Sequence, residues 1–309
     1  MNIAVIEVYP NKKMDLKKMI DAHLRNSVII SKEISADLLC VESDFIKALK
    51  KNYDILILGY ASGYAPFQLI KKLVNNNPNA KKIVISNEYN IVPSIGGFNP
   101  YDLIANYDKI KSKGNTINNF YTLNLNLLFA RLPNEITEKK YNCIYYGTFR
   151  VNRSKYFKEY LQNEIYLSTS DKNFKKYKHV GANPKYIKKL SWDKKNETLN
   201  NFRYSLYIED DYTHNVFNNL ANRWYEAGFC NNVIFFDANC LNTIKKSEIG
   251  MFQNEIENYI VSNYEELKEK IKECNLNFKK HLSIQKSWRK NELILRQKMI
   301  DELKEIIYS

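Results

Sequence analysis

The chain has 309 residues, 44% of them hydrophobic, and a formal net charge of +13. That length exceeds one simple core and suits two ordinary domains, and that apolar content excludes wholesale disorder. The charge favours a polyanionic partner, either nucleic acid or an anionic membrane surface, although a Lys-, Asn-, Ile- and Tyr-rich bias of the kind AT-rich coding produces contributes to it.

The first half alternates short apolar runs with amphipathic patterns. IAVIEV (3–8) predicts a buried strand and MDLKKMIDAHL (14–24) a helix. ADLLCV (36–41) predicts a strand, FIKALKK (45–51) a helix, DILILGY (54–60) a strand, FQLIKKLV (67–74) a helix and KIVIS (82–86) a strand. Apolar strands separated by helices imply a parallel sheet covered on both faces, a Rossmann-like domain. LPNEITEKK (132–140) reads as a linker, after which the pattern restarts. CIYYGT (143–148), EIYLST (164–169), YSLYIED (204–210), NVIFFD (232–237) and NYIVSN (258–263) predict strands. SKYFKEYL (154–161), HNVFNNLANRWYEAG (214–228), 264–275 and about 278–307 predict helices. Two α/β domains in series, closed by a long C-terminal helix, place a ligand in the cleft between them.

The five cysteines (Cys40, Cys143, Cys230, Cys240, Cys274) are widely spaced and form no CxxC pair. Neither a zinc site nor a disulfide framework is expected, and reduced, buried thiols fit a cytoplasmic protein. The segment MNIAVIEVYPNKK has no basic leader, and no stretch is long and apolar enough to cross a bilayer. No membrane association is expected.

Of the 47 basic residues only 8 are arginines, and Arg150, Arg153 and Arg223 fall in two segments with further chemistry. Lysine suffices for solubility, whereas bidentate recognition of phosphate needs the planar fork of arginine. In YYGTFRVNR, a glycine at a strand end lets backbone approach a ligand, and the next helix offers free N–H groups. Arg150 and Arg153 there build a diphosphate site. From these residues alone, an ordinary strand–turn–helix with two surface arginines reads the same way. In YIEDDYTHNVFNNLANRWYEAGFCNNVIFF, Arg223 and Glu226 are three apart on one predicted helix and share a face. They are either a structural pair or a nucleotide clamp, with Arg223 on a phosphate and Glu226 accepting from both ribose hydroxyls.

The C-terminal half resembles the DNA β-glucosyltransferases of the T-even bacteriophages. The matching pieces are CIYYGTFRVNR, KLSWDKKNE (189–197), YIEDDYTHNVFNNLANRWYE and LSIQ (282–285), in order and with consistent spacing. MNIAVIEV and IVISNEYNIVP (83–93) match mainly in pattern. The resemblance implies a GT-B fold, with two Rossmann-like domains facing a central cleft. Residues 1–134 would form the acceptor (DNA) domain, with the C-terminal helix (about 286–309) packing back on it, and 141–285 the nucleotide-sugar donor domain. It implies transfer of a sugar, glucose in the family, from a UDP-sugar to a hydroxymethylated pyrimidine in duplex DNA with inversion. Gly147 and Thr148 would approach the diphosphate, with Arg150, Arg153 and Arg223 neutralising it. Glu226 would hold the ribose, Leu190 would lie against the uracil with its backbone reading the base edge, and Tyr212 would sit near the nucleotide.

On the acceptor side the family uses an aspartate as base after a strand of the first domain. Here Glu88 in SNEYN stands at that position, one methylene longer, with Glu7 and Asp102 as spare candidates. GYASGYAPF (59–67) and PSIGGFNPYD (93–102) combine glycine with Tyr60, Tyr64, Phe67, Phe98 and Tyr101, rings able to stack on bases or fill the space a flipped base leaves. Aromatics tucked against the core are the plain alternative.

Asp210–Asp211 invites a metal reading, but a GT-B site holds its donor phosphates with arginines, so no metal ligand is assigned and a divalent ion stays open. His214 falls near the donor segment. The C-terminal cations Lys279, Lys280, Lys286, Arg289, Lys290, Arg296 and Lys298 are expected on a solvated face, opposite an apolar stripe of Trp288, Leu295, Met299 and Leu303. A monomer in the cytoplasm of a phage-infected cell is the setting this implies. Two rival readings stand beside it: a GT-B enzyme of surface polysaccharide or glycolipid, and a non-catalytic nucleic-acid-binding protein.

Overall fold

The computed structural model describes residues 1–6, 26–39, 42–58, 67–85, 116–117, 120–123, 138–190, 198–210 and 220–308. The chain divides into two compact units, one of residues 1–20, 24–128 and 296–309 and the other of 21–23 and 129–295.

In the first unit, β1 (Ile3–Ile6), β2 (Asp37–Leu39), β3 (Ile55–Leu58), β4 (Lys81–Ile85), β5 (Thr116–Ile117) and β6 (Phe120–Leu123) form one sheet of order β2-β1-β3-β4-β6-β5. Every pair is parallel except β5 with β6. Ala4, Val5, Leu56, Ile57 and Ile83 are fully buried, as strands covered on both faces require. The helices α1 (Asn26–Glu33), α2 (Glu42–Ala48) and α3 (Phe67–Asn76) lie between strands in the chain. α2 begins three residues before its predicted start, with Glu42 and Asp44 in the first turn where the helix dipole favours acids. The chain's last residues belong to this unit: Lys81 Nζ donates to the Ile306 carbonyl at 2.6 Å, and Arg296 pairs with Glu33 at 2.8 Å.

The second unit is wholly parallel. β7 (Tyr141–Tyr146), β8 (Ile165–Thr169), β9 (Lys185–Lys188), β10 (Phe202–Tyr207), β11 (Val233–Asp237) and β12 (Ile260–Val261) take the order β12-β11-β10-β7-β8-β9. Between them run α4 (Ser154–Tyr160), α5 (Asp171–His179) and α6 (Asn222–Phe229). The chain starts the sheet at β7, builds β8 and β9 outward on one side, then returns to build β10, β11 and β12 on the other. The order therefore reverses between β7 and β10, and in such sheets the crevice at the carboxyl ends of those two strands is where ligands bind.

α5 and β9 were not legible in the sequence. The helix carries only Phe174 and Tyr177 as apolar groups, and β9 (KYIK) exposes a lysine at each end. The predicted helix 214–228 starts, within the described residues, only at Asn222, after the extended Ala221. The helix Phe278–Tyr308 matches its expectation in extent, but not all of its cations face water. Arg289 is 4% exposed, in contrast to the solvated face expected of it. No helix is long and apolar enough to cross a membrane, among the described residues. Cys143, Cys230, Cys240 and Cys274 are buried, and no disulfide joins them among the described residues.

Candidate functional site

β7 ends at Tyr146, two residues before its predicted limit, so Gly147 and Thr148 form the turn at the carboxyl edge. The Gly147 carbonyl accepts from Thr169 Oγ1 at 3.1 Å, which ties the turn to the end of β8. Thr148 and Arg150 are exposed. Phe149 turns inward and meets Tyr177 edge-on, with ring centroids 5.2 Å apart. That anchor aims the short 3-10 turn Val151–Arg153 back at the sheet and buries Arg153 to 4% exposure.

Arg153 finds its partners at the end of β10. Its Nε donates to Asp210 Oδ2 at 2.9 Å and its Nη2 pairs with Glu209 Oε2. The other oxygen of Glu209 lies 3.2 Å from Arg223 Nη2. One buried carboxylate thus spans two guanidiniums. Arg223 is also held through Nη1, which donates to the Ile208 carbonyl at 2.8 Å and to the Tyr145 hydroxyl at 3.3 Å. The rings of Tyr145 and Tyr207 flank the guanidinium at 5.4 and 5.7 Å. Burial works against the charge on both arginines, but the neighbouring Glu209 carboxylate and Tyr145 outweigh it, and both pKa values rise above the ordinary arginine range.

Gly147 faces this cluster. A Cβ at that position would lie 3.7 Å from Arg223 Nη2 and 3.5 Å from the Tyr145 hydroxyl, ordinary contact distances. The glycine is thus not demanded by packing here.

One turn beyond Arg223, Glu226 is 2% exposed. Beside it lies the Tyr146 hydroxyl, which donates to the Arg223 carbonyl at 3.0 Å. Burial first, and the Glu226 charge second, push the Tyr146 pKa well up, so the phenol stays protonated. Tyr146 belongs to an apolar cluster with Ile144, Leu199, Phe202 and Cys230, and the half-buried Leu190 packs on that cluster. The Leu190 N–H donates to Ser168 Oγ at 3.1 Å, so the backbone donor that a base edge would use is engaged within the protein. Gly147, Arg153, Arg223 and Glu226 are therefore assembled at one place, with Leu190 linked to them through Tyr146.

Sequence reasoning missed Glu209, Tyr145, Tyr207 and Arg289. The signal for Glu209 was a Glu-Asp pair directly after an apolar strand, where buried carboxylates need cations. For Arg289 there was none, because it sits among lysines. Its guanidinium stacks 4.2 Å from the centre of the Trp224 ring, and burial lowers its pKa to about 10. Glu88, Tyr60, Tyr64, Phe98, Tyr101, Tyr212, His214, Glu7 and Asp102 lie outside the described residues. No group of three His, Cys, Asp or Glu able to hold a metal occurs among the described residues. Glu209 and Asp210 are both committed to Arg153, a poor donor set for a divalent ion. A cavity of about 540 Å³ in the first unit, bordered by Asp54, Lys81 and Tyr308, lies at the amino ends of β3 and β4 and contains none of these groups.

Neither a protein-family model nor a curated protein matches the sequence. Solved structures do match over the whole chain. A structure of the DNA-modifying enzyme β-glucosyltransferase, with and without uridine diphosphoglucose, superposes with a TM-score of 0.66 at 17% identity and covers 100% of each chain. The T4 phage β-glucosyltransferase in complex with UDP and Mn²⁺ gives 0.64 at 18% identity over 99% of each chain. An α-glucosyltransferase in complex with UDP-glucose and DNA containing an abasic site gives 0.56 at 12% identity over 100% of each. At these identities the likeness is one of fold: two α/β units, each on a largely parallel sheet, and a long C-terminal helix, a GT-B fold.

Proposed function

We propose that the protein is a UDP-sugar-dependent glycosyltransferase that moves a sugar, glucose as the first choice, onto the hydroxymethyl group of a modified pyrimidine in DNA with inversion. The observation that carries the reading is the pair of fixed guanidiniums, the buried Arg153 and the half-buried Arg223, beside the Gly147 turn at the carboxyl ends of β7 and β10. That is where an α/β sheet of this order binds nucleotides, on a fold shared with enzymes solved with UDP or UDP-glucose. The second unit takes the donor and the first the DNA. The +13 net charge suits the DNA, and the α-glucosyltransferase neighbour solved with abasic DNA supports an acceptor base drawn out of the stack.

In this reading the Gly147–Thr148 backbone and Arg223 face the diphosphate, Arg153 backs the site and Arg150 reaches in from the surface. Glu226 receives the ribose hydroxyls and Leu190 packs against the base, while Tyr212 lies near the nucleotide. The hydroxymethyl oxygen attacks the anomeric carbon from the face opposite the diphosphate, and the bond to the β-phosphate oxygen breaks. Glu88 takes the hydroxyl proton and the fixed guanidiniums stabilise the charge on departing UDP. Tyr60, Tyr64, Phe98 and Tyr101 serve the DNA. With Glu209 and Asp210 bound to Arg153, no step is routed through a metal.

The test is mass spectrometry of nucleosides after incubation with UDP-glucose and duplex DNA containing hydroxymethylcytosine or hydroxymethyluracil. The expected result is a gain of one hexose on one of them. No gain with UDP still bound rejects this sugar and these acceptors. No gain and no UDP binding rejects the reading.

A further inference from the structure

We infer that Glu209 is a counter-charge with which an incoming diphosphate must compete for Arg223, so that this carboxylate limits how tightly UDP is held. The inference rests on the donor-site reading above. Among the described residues, the charges of two guanidiniums and two carboxylates, Arg153, Arg223, Glu209 and Asp210, formally cancel here. A site built only to grip a dianion would leave its cations uncompensated.

The geometry separates what orients Arg223 from what neutralises it. Orientation comes through Nη1, fixed by the Ile208 carbonyl at 2.8 Å and the Tyr145 hydroxyl at 3.3 Å, and through the flanking Tyr145 and Tyr207 rings. Glu209 meets the other nitrogen, Nη2, at 3.2 Å, and its Oε1 makes no hydrogen bond among the described residues. Nη2 is also the nitrogen beside Gly147, 3.7 Å from where a Cβ would stand. A phosphate oxygen arriving at that turn meets Nη2 and the Glu209 carboxylate together. It gains the attraction of the first and the repulsion of the second, while the guanidinium need not turn. Glu209 itself is retained by Arg153 through its other oxygen. Such an arrangement holds the donor firmly enough for transfer and still lets the charged product leave.

The test is calorimetric binding of uridine, UMP and UDP to the full chain and to its Glu209→Gln variant. Removing one buried negative charge at this distance is expected to tighten UDP by about tenfold or more and UMP by less, with uridine unchanged. A merely structural role would shift all three ligands by a similar factor. Unchanged or weaker UDP binding, or an equal shift for uridine, overturns the inference. If wild-type protein binds no UDP, the donor reading falls and this inference with it. Wild-type UDP binding without a gain in the variant sinks the inference alone. Should Glu209→Gln fail to fold, Asp210→Asn removes a charge one step further from Nη2. It is expected to tighten UDP in the same order but by less, and weaker UDP binding there overturns the inference too.

Discussion

The guanidinium of Arg289 fills the space beside the α-carbon of Gly228, so that a Cβ built on the glycine would lie 1.5 Å from Nη1. The arginine is stacked on Trp224, whose carbonyl it reaches at 3.4 Å, and it has no open water to retreat into. The glycine is therefore a packing requirement. Gly228→Ala is expected to force Arg289 from its slot, forfeiting the cation–π contact and straining the core, for a loss of about 2 kcal/mol. Urea unfolding followed by tryptophan fluorescence measures it. A midpoint equal to wild type would show that Arg289 relocates without cost.

Gly147 gives the opposite expectation from the same test of space. Its nearest contacts would be 3.5 to 3.8 Å from an added Cβ, so Gly147→Ala should leave stability within roughly 0.5 kcal/mol of wild type. If this turn lies against the diphosphate, the methyl group stands in the ligand's way and UDP affinity falls at least severalfold. Equal UDP affinity in a folded variant would move the diphosphate away from Gly147.

Arg223 tests whether the fork matters or only the charge. Arg223→Lys keeps a cation but cannot serve both the Ile208 carbonyl through one nitrogen and a phosphate through another. The lysine variant is expected to bind UDP nearly as poorly as Arg223→Ala, each weaker than wild type by about tenfold or more. Recovery in the lysine variant would reduce the role to a point charge.

These residues show where the sequence was readable. Arg153 and Arg223 stood out because arginine is scarce in a lysine-rich chain, and both prove to lie at the reversal point of the second sheet. Strands such as IYY and VIFF were plain because a strand buried on both faces is apolar throughout. Partners were hidden, because a buried Glu209 and a solvated glutamate are written with the same letter. Arg289 was misread for the converse reason: flanked by Trp288 and Lys290, it shares a helix with many exposed cations, and only the tertiary fold turns it inward. β9 was missed because an edge strand that fends off further pairing is built of lysines.

Gln285 repairs a sheet edge. β12 pairs with Phe236 and Asp237, so among the described residues the Ile234 peptide has no strand neighbour on that side of β11. The buried Gln285 carboxamide supplies both hydrogen bonds, with Oε1 accepting from the Ile234 N–H and Nε2 donating to its carbonyl, each at 2.9 Å. Gln285→Leu keeps the volume and strands two backbone groups, which should cost about 2 to 4 kcal/mol. Unfolding in urea checks this, and a loss under 0.5 kcal/mol (roughly the effect of a surface substitution) would mean that water replaces the carboxamide.

Glu292 should make stability depend on pH in an unusual direction. Its carboxyl is buried, accepts from the Trp224 indole N–H and lies near Arg289. Burial raises its pKa from 4.5 to about 7, against the opposing pull of Arg289 and of that hydrogen bond. The folded state therefore holds a proton that the unfolded chain releases above pH 4.5. Linkage then requires this group's contribution to be fully present below that pH and to fall as pH rises towards 7, by up to about 3 kcal/mol. Ordinary carboxylates, with depressed values in the folded state, act in the opposite sense. Glu292→Gln retains an acceptor for the indole and cannot titrate. The difference in unfolding free energy, variant minus wild type, should therefore rise between pH 4.5 and 7 and level off above it. A difference that stays flat over that range would show that Glu292 is ionised in the fold, with Arg289 as its compensating charge.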